Sequence, residues 1–244
     1  MNNTRERYPI LNVPFNGLSK EEALQALLEL LETDGNHLVV TPNPEACMLA
    51  QRDKNFLDIL QSANLVFPDG IGILLAAKYL KLPIPTRVTG CDITMSLLNA
   101  AKNHSCFLVG GKPGVAEKAR SNLINQGINV LGAYSGYFDY KEQILILEEI
   151  RRLKPDILLV GMGMPKQEQW AFTHLRSLPC KVTLCVGGSI DIFAGNVKRA
   201  PEIMRRIGLE WLYRLISQPS RAKRMLDLPK FVLAVYKSSK HMFP

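Results

Sequence analysis

The sequence of 244 residues lacks the segments that would carry it into or through a membrane. Its first ten residues include Arg5, Glu6 and Arg7 and no apolar core, so we expect no signal peptide. No apolar run approaches the roughly 18 residues that a membrane-spanning helix needs. These absences exclude a protein with spanning helices and predict a cytoplasmic protein that is at most peripheral to a membrane.

Cysteine and histidine are too few and too scattered to indicate a metal site or a disulfide framework. None of the five cysteines forms a C-x-x-C pair, and the four histidines form no H-x-x-x-H pair. The cysteines lie mostly inside apolar segments, which predicts reduced, buried thiols. The sequence also lacks a D-x-D motif and a complete G-x-G-x-x-G fingerprint. We therefore expect no bound metal.

The positive charge of the chain is confined to its C-terminal part. The formal net charge is +8, and residues 198–244 contain eleven Lys and Arg against three acidic residues. Residues 1–197 have equal numbers of basic and acidic side chains. Such an asymmetry indicates an anionic partner, either a membrane surface or a nucleic acid. It also divides the chain into a neutral domain, 1–197, and a basic appendage, 198–244.

From residue 106 onward, short apolar runs alternate with longer helical patterns. Strands are predicted at 106–109, 128–133, 156–160 and 181–186, with helices after the first three. Alternation of this kind builds a parallel sheet with helices on both faces. The predicted fold class is therefore α/β, with a Rossmann-like, mostly parallel sheet.

The two ends of the chain show less regular patterns. Residues 10–15 alternate weakly and predict one edge strand. Residues 200–217 have apolar side chains at helical spacing and predict one helix, which Pro219 ends. Pro229 is expected to break the chain again before a short amphipathic helix at 230–240. The appendage is thus predicted to be helical.

Asp69 lies in a strand-turn-helix unit, Val66 to Gly72, on which we centre the functional prediction. Ligands in open α/β sheets bind just beyond the carboxyl ends of strands, where this residue falls. A carboxylate between an apolar strand and an apolar helix is a candidate general base. The alternative is a helix N-cap, and this stretch alone favours the cap.

Two other stretches outside the predicted helices and strands carry polar side chains that could bind a ligand. Thr41 and Asn43 come directly after a short buried strand, in a turn held by two prolines, which suits the positioning of a polyhydroxyl ligand. The alternative for Asn43 is an Asx turn that caps the next helix. Arg87 lies in a loop, where it is either a solvated side chain or a fork for a diphosphate.

Three glycine turns follow predicted strands. Glycine lets backbone amides approach a phosphate at a helix N-terminus, and a tight turn without a ligand is equally compatible with each pattern. In the second turn, Gln167 is placed to read a sugar hydroxyl or a nucleobase amide, while Glu168 has the simpler interpretation of favouring the helix dipole. The candidate glycines are Gly110, Gly111, Gly163, Gly187 and Gly188.

Eight motifs follow one another along the chain in a fixed order. Together they resemble the WecG/TagA/CpsF family of bacterial glycosyltransferases, over about residues 8–228, and they are far more specific together than singly. The motifs are T-P-N-P-E (41–45), F-P-D-G-I-G (67–72), R-V-T-G-C-D (87–92), F-L-V-G-G-K-P-G (107–114), G-M-G-M-P-K-Q-E (161–168), V-G-G-S-I-D-I-F-A-G (186–195), K-R-A-P (198–201) and G-L-E-W-L-Y-R-L-I-S-Q-P-S-R (208–221).

This resemblance implies an activity and a place in the cell. Members of the family transfer a sugar, typically N-acetylmannosamine or its uronic acid, from a UDP-sugar to undecaprenyl-diphosphate-linked N-acetylglucosamine. The product serves the synthesis of wall teichoic acid, common antigen or related envelope polysaccharides. The reaction inverts the anomeric centre and is expected to need neither metal nor cofactor. Residues 1–197 are then the catalytic domain, and 198–244 an appendage docked on the inner face of the plasma membrane. A homo-oligomer is compatible with this assignment.

The resemblance also assigns residues. It implies that Asp69 is the base, with Thr41 and Asn43 near the reacting sugar and with Arg87 and Gln167 as further pocket residues. Inverting transfer needs a base for the acceptor hydroxyl and cations for the departing UDP, which favours the base over the cap. The resemblance implies diphosphate binding by three appendage arginines: Arg214, Arg221 and Arg224.

Two other classes of function remain as alternatives. The glycine turns and the parallel sheet are compatible with a nucleotide-dependent oxidoreductase, although the full fingerprint and its acidic residue are missing. The basic appendage is compatible with a non-enzymatic binder of nucleic acid or membrane. Since no zinc finger or RNA-binding motif accompanies it, we expect no nucleic-acid partner.

Overall fold

The computed structural model describes residues 6–206, 208–217 and 227–242. The strands of its main sheet are β3 (His37–Val40), β4 (Leu65–Val66), β5 (Cys106–Gly110), β6 (Val130–Tyr134), β7 (Ile157–Gly161) and β8 (Val182–Cys185). All six run parallel, in the order β4-β3-β8-β7-β5-β6. Strands β5, β7 and β8 are buried along their whole length, as expected of a sheet covered on both faces.

Helices pack on both faces of this sheet, which confirms the predicted α/β class. Successive strand residues point to opposite faces, and on β3 Leu38 and Val40 join one apolar cluster while Val39 joins the other. Within residues 1–197, the helices in the first cluster are α2 (Pro44–Ala50), α3 (Lys54–Ser62), α4 (Ile71–Tyr79), α7 (Tyr140–Leu153) and α8 (Lys166–His174). The helices in the second are α1 (Lys20–Leu31), α5 (Gly90–Ala100), α6 (Val115–Ile124) and α9 (Ser189–Phe193).

The N-terminal segment forms a hairpin, so the prediction of a single edge strand at 10–15 is wrong. Strands β1 (Arg7–Ile10) and β2 (Val13–Asn16) pair antiparallel in a separate two-stranded sheet. Leu11 and Asn12 make the turn with φ values of 49° and 64°, a conformation that two-residue hairpin turns require. The sequence has no glycine there, so the usual signal of such a turn was missing.

The appendage contains two helices where the sequence predicted one at 200–217. Helix α10 (Glu202–Arg206) and helix α11 (Glu210–Ser217) are separated around Gly208, which has a φ of 79°. A Cβ at Gly208 would lie 2.8 Å from Cγ1 of Ile71. The chain thus turns at this glycine because the backbone comes close to the start of α4 and adopts a conformation that other residues resist.

The last described helix, α12 (Asp227–Met242), begins before Pro229, so the predicted break at this proline is wrong. Proline is tolerated in the first helical turn because its missing N–H would have no partner there. The helix packs against α2 and α4, with Phe231 and Val235 only 2% and 4% exposed. In the described parts of the chain, no helix has the length and apolar character needed to cross a membrane.

All five cysteines are free and buried, which confirms the prediction for the thiols. In the described chain, no three side chains of His, Cys, Asp or Glu are grouped so that they could hold a metal ion. The proposed division of the chain at residue 197 stays a prediction.

Candidate active site

The order of strands reverses direction between β5 and β7. From β5 the chain crosses through α6 to β6 on one side, whereas from β7 it crosses through α8 to β8 on the other. The crevice at such a reversal, at the carboxyl edge, is the usual ligand site of an open parallel sheet. The cavity at this edge lies beside the reversal: the turns after β3, β4, β7 and β8 line it, whereas the turn after β5 is absent from its described lining.

This cavity, which we call the polar cavity, has a volume of about 140 Å³. The start of α5 supplies another part of its wall through Thr89 and Gly90. Residues from five separate motifs therefore meet here, as the topology of a parallel sheet predicts. The predicted site residues in its lining are Thr41, Asn43, Asp69, Gly163, Gln167, Gly187 and Gly188.

A second cavity, the apolar groove, shares part of its wall with the first and has a volume of about 280 Å³. It lies between the start of α4 and the appendage helices α11 and α12. Asn43, Glu45 and Asp69 belong to the linings of both cavities. The apolar side chains in the groove are Ile71, Leu75, Trp211, Leu228, Phe231 and Val232.

Asp69 therefore lies where the two cavities meet. Its backbone amide donates to the carbonyl of Pro42 at 3.2 Å, which links the turn after β4 to the turn after β3. The N-cap position of α4 is Gly70, with a φ of 90°, so Asp69 precedes the cap by one residue. Asp69 is therefore not the N-cap residue of α4, which the capping alternative had required. Its role as a base stays a prediction.

Asn43 caps a helix and also lines both cavities. Its Oδ1 accepts a hydrogen bond from the backbone amide of Ala46 at 2.9 Å, so the alternative of a cap for α2 is confirmed. The cap occupies the acceptor of the side chain, which leaves the Nδ2 donors to meet a ligand. The same residue thus combines a structural role with a place in the cavity wall.

Thr41 is held between β8 and α5. Its hydroxyl donates to the carbonyl of Cys185 at 3.4 Å. A Cβ at Gly90 would lie 2.9 Å from this hydroxyl oxygen, so the start of α5 can approach Thr41 closely only because residue 90 has no side chain. The position of Thr41 is therefore fixed by two elements that lie far apart in the sequence, the start of α5 and the end of β8.

Arg87 lines the apolar groove and not the polar cavity. Its Nη2 donates to the backbone carbonyl of Arg205, at the end of α10. Arg205 in turn donates from Nε to the carbonyl of Ala200 at 3.1 Å. Arg87 thus ties the appendage to the loop before α5, a contact that the sequence did not indicate, and its role toward a diphosphate stays a prediction.

Gln167 and Glu168 are both buried in the first turn of α8 and both line the polar cavity. The Nε2 of Gln167 donates to Oε1 of Glu168 at 2.7 Å, and the amide of Gly187 donates to Oε1 of Gln167 at 3.0 Å. Burial raises the pKa of Glu168 to about 7, although the bond from Gln167 opposes the shift. Sequence reasoning missed Glu168, and its only signal was its place in the G-M-G-M-P-K-Q-E motif.

Asp92 and Arg199 form an ion pair that the sequence did not suggest, although both lie in family motifs. Arg199 Nη1 approaches Asp92 Oδ1 at 2.6 Å, and the hydroxyl of Thr89 donates to Oδ2 at 2.8 Å. Burial alone would raise the pKa of Asp92, but the bonds from Arg199 and Thr89 hold it below its ordinary value. The pair joins α5, which borders the polar cavity, to the first residues of the appendage.

The other predicted residues lie elsewhere. Gly110 and Gly111 are absent from the described linings of both cavities. A Cβ at Gly110 would lie 2.4 Å from the carbonyl oxygen of Gly161, so this glycine permits two strand ends to approach. The side chain of Arg214 and the whole of Arg221 and Arg224 lie outside the described residues.

The fold and the two cavities define an α/β protein with a candidate ligand site at the carboxyl edge of a parallel sheet. Over residues 8–242 the sequence matches the glycosyl transferase WecG/TagA/CpsF family, and the chain belongs to that family. It is therefore a glycosyltransferase, as the eight motifs predicted. This assignment favours glycosyl transfer over the oxidoreductase and nucleic-acid-binding alternatives.

Curated relatives resemble the chain over most of its length. A protein of Bacillus subtilis (strain 168) is 37% identical over 208 residues, which are 84% of this chain and 80% of the relative. A protein of Staphylococcus aureus (strain MRSA252) is 33% identical over 236 residues, 95% of this chain and 92% of the relative. Both are named N-acetylglucosaminyldiphosphoundecaprenol N-acetyl-beta-D-mannosaminyltransferase.

Proposed function

We propose that the protein transfers N-acetylmannosamine, or its uronic acid, from a UDP-sugar to undecaprenyl-diphosphate-linked N-acetylglucosamine, with inversion at the anomeric carbon. The names of both relatives contain this acceptor, and they give N-acetylmannosamine as the sugar. The observation that carries the proposal is the place of Asp69, in the wall that the polar cavity and the apolar groove share. Such a junction would let a polar donor and a lipid-linked acceptor meet at one carboxylate.

The polar cavity is the proposed donor site. Thr41, Asn43 and Gln167 bring hydroxyl and amide groups to its wall, which are the groups that read sugar hydroxyls and acetamides. The N-terminus of α5 borders the same space, and a helix N-terminus favours an anion such as a diphosphate. Gly163 and Gly187, both with positive φ, also line this cavity, and at these two positions no side chain takes up its space.

The apolar groove is the proposed site of the first isoprenoid units of the acceptor. Its lining is mainly apolar, and it runs from Asp69 to α11 and α12 at the surface. Burial of isoprenoid methyl and methylene groups there contributes about 25 cal/mol for each Å² removed from water. An acceptor held in this way presents its sugar hydroxyl at the junction with the donor cavity.

Asp69 then acts as general base at that junction. It takes the proton of the acceptor hydroxyl while the acceptor oxygen bonds to the anomeric carbon of the donor. The bond from that carbon to the UDP oxygen breaks on the opposite face, and UDP leaves with the electron pair. Arg87 and the appendage arginines Arg214, Arg221 and Arg224 are the proposed cations for the diphosphates of donor and acceptor.

The appendage, residues 198–244, is the proposed membrane-docking element. Its described helices expose Ile203, Ile216, Leu233 and Tyr236, and the same segment of the sequence holds the excess of Lys and Arg. Apolar and aromatic groups of this kind bind at the depth of lipid headgroups, and each nearby Lys or Arg adds about 1 kcal/mol on an anionic leaflet.

Docking is tested by flotation with lipid vesicles. We expect the protein to float with vesicles that contain anionic lipid, and the double variant Ile216→Asp/Leu233→Asp to float much less. Equal flotation of the two proteins would contradict the docking role.

The activity is tested by measuring UDP release from a panel of UDP-sugars with a short-chain, diphosphate-linked N-acetylglucosamine as acceptor. We expect release to depend on the acceptor and to be fastest with UDP-N-acetylmannosamine or its uronic acid. Release from another UDP-sugar alone would correct the donor. Absence of release with every donor would contradict the proposed function. Product analysis by NMR would give the anomeric configuration.

A further inference from the structure

Glu168 is a buried acidic side chain in the lining of the polar cavity to which the reaction above gives no role. It is 5% exposed, and its Oε1 accepts the hydrogen bond from Gln167. Gln167 uses its own Oε1 to accept from the backbone amide of Gly187. A chain of two hydrogen bonds therefore runs from Glu168 on α8 to the turn after β8, and all three residues line the cavity.

The other oxygen of this carboxyl group has no protein partner. Oε2 of Glu168 is buried and makes no hydrogen bond within the described chain, where no Lys, Arg or His forms an ion pair with this residue either. A buried carboxylate with one unsatisfied oxygen and no cation is costly, whereas a protonated carboxyl avoids most of that cost.

The groups around α8 do not supply a counter-charge. The helix packs mainly against α3, β3, β7 and β8 and against the short 3-10 turn that follows it. Lys54 and Asp58 of α3 pair with each other at 2.8 Å, and Lys166 donates to the carbonyl of Gly136. The remaining titratable groups on these elements and in the cavity wall are His37, His174, Arg176, Cys185, Glu45, Asp69 and Cys91. Two of these, Glu45 and Asp69, are further carboxyl groups in the lining of the same cavity, so they supply no positive charge to Glu168.

We propose that Glu168 is a positioning residue of the donor site that works in its protonated form. Its neutral carboxyl fixes the amide of Gln167 against Gly187 and adds no negative charge to the wall that receives the donor diphosphate. The inference rests on the proposed function, since that function places the diphosphate in the polar cavity. The raised pKa, about 7, agrees with the geometry and sets the pH range in which the effect should be seen.

The expected consequence is a donor affinity that falls as the pH rises. Above pH 7 the carboxyl ionises, and its charge then repels the doubly charged diphosphate of the donor. We expect the KM for the UDP-sugar to rise about three- to tenfold between pH 6 and pH 8.5, with a smaller change in kcat. The diphosphate of a UDP-sugar is esterified on both sides, so the donor itself does not titrate in this range.

The test uses the full-length chain and three variants, two at position 168 and one control outside both cavities. Glu168→Gln keeps the acceptor for Gln167 but cannot ionise, so the ratio of donor KM at pH 8.5 to that at pH 6 should fall to about one. Glu168→Ala removes the acceptor and should raise donor KM at both pH values. Glu117→Gln removes an exposed carboxylate on α6 that lines neither cavity, and it serves as the matched control, which should keep the wild-type ratio.

A direct measurement separates this inference from the proposed function. Carboxyl ¹³C NMR, with the Glu168 signal assigned by comparison with Glu168→Gln, should show titration near pH 7. Titration below pH 5, or a wild-type KM ratio in Glu168→Gln, would overturn the role of Glu168 and leave the transferase activity intact. If no UDP-sugar is turned over, the proposed function fails together with the donor role, and the NMR titration still decides whether Glu168 is neutral.

Discussion

The polar cavity and the apolar groove share Asp69 but are built in different ways. The wall of the polar cavity consists of turns that follow four strands of one sheet, together with the start of α5. One wall of the groove is the start of α4, but the other comes from α11 and α12 of the appendage. The walls of the proposed donor site therefore belong to the sheet and the helices that follow its strands, whereas the proposed acceptor site also depends on how the appendage is attached to them.

That attachment uses a few contacts of different kinds. Helix α12 is held by the buried side chains of Phe231 and Val235 and by an ion pair between Arg52 and Asp227 at 2.8 Å. The start of the appendage is held by the pair of Arg199 with Asp92 at 2.6 Å. Variants can therefore weaken the groove while leaving the polar cavity unchanged, and the following predictions exploit this difference.

The largest effect is expected where the two cavities meet. Asp69→Asn keeps the size of the side chain but removes the base, so kcat should fall about 10²- to 10⁴-fold. The KM values for donor and acceptor should stay within about twofold of wild type, because both cavities keep their shape. Asp58→Asn, in an exposed pair on α3, is the matched control. Turnover near the wild-type rate in Asp69→Asn would remove this residue from the role of base.

A charge in the groove should affect the acceptor only. Val232 lines the groove and is 67% exposed, and its neighbour Leu233 is 53% exposed but does not line it. Val232→Asp should raise the acceptor KM about tenfold, which corresponds to about 1.4 kcal/mol, and leave the donor KM unchanged. In an assay without membranes, Leu233→Asp should have the wild-type acceptor KM. Equal effects of the two variants would contradict the assignment of the groove.

Loss of the Asp92–Arg199 pair should have a smaller effect of the same kind. Asp92→Asn should raise the acceptor KM roughly two- to fivefold, since a partly exposed ion pair contributes up to about 1 kcal/mol.

The pKa of Asp92 is lowered in the folded protein, so the pair stabilises the fold above the ordinary carboxylate range and its contribution is lost as the pH falls through the lowered pKa. Thermal unfolding from pH 7 to pH 3 should therefore show a smaller difference between variant and wild type at the acid end. A constant difference would argue against an ionic contribution.

The smallest effect is expected at the surface of α12. Arg52→Ala removes one partner of Asp227, but Lys230 still bonds the same carboxylate at 3.2 Å. The loss of stability should be below about 1 kcal/mol, measured by urea unfolding, with unchanged kinetic constants. Lys54→Ala, in another exposed pair, should give a similar value. A clear rise in acceptor KM for Arg52→Ala alone would mean that this pair orients the groove.

The parts of the site that depend on the sheet could be predicted from the sequence. Thr41, Asn43, Asp69 and Gln167 each follow a predicted strand, and the carboxyl ends of parallel strands share one edge, so their convergence follows from topology. The groove could not be predicted in this way, because it depends on a turn at Gly208 and on packing of α12 across α2 and α4. Glu168 was missed because burial, which raises its pKa, is a property of the folded chain.

A hydrogen bond from the N-terminal hairpin helps to hold β4, the strand that precedes Asp69. Strand β4 has only two residues, and the amide of Val66 within it donates to Oδ1 of Asn16 at 2.7 Å. This side chain, itself completely buried, closes the open edge of the sheet three residues before Asp69. A substitution at Asn16 is therefore expected to shift Asp69, although Asn16 lines neither cavity. Deletion of residues 1–16 would remove this hydrogen bond and loosen β4, the strand that leads to the Asp69 carboxylate.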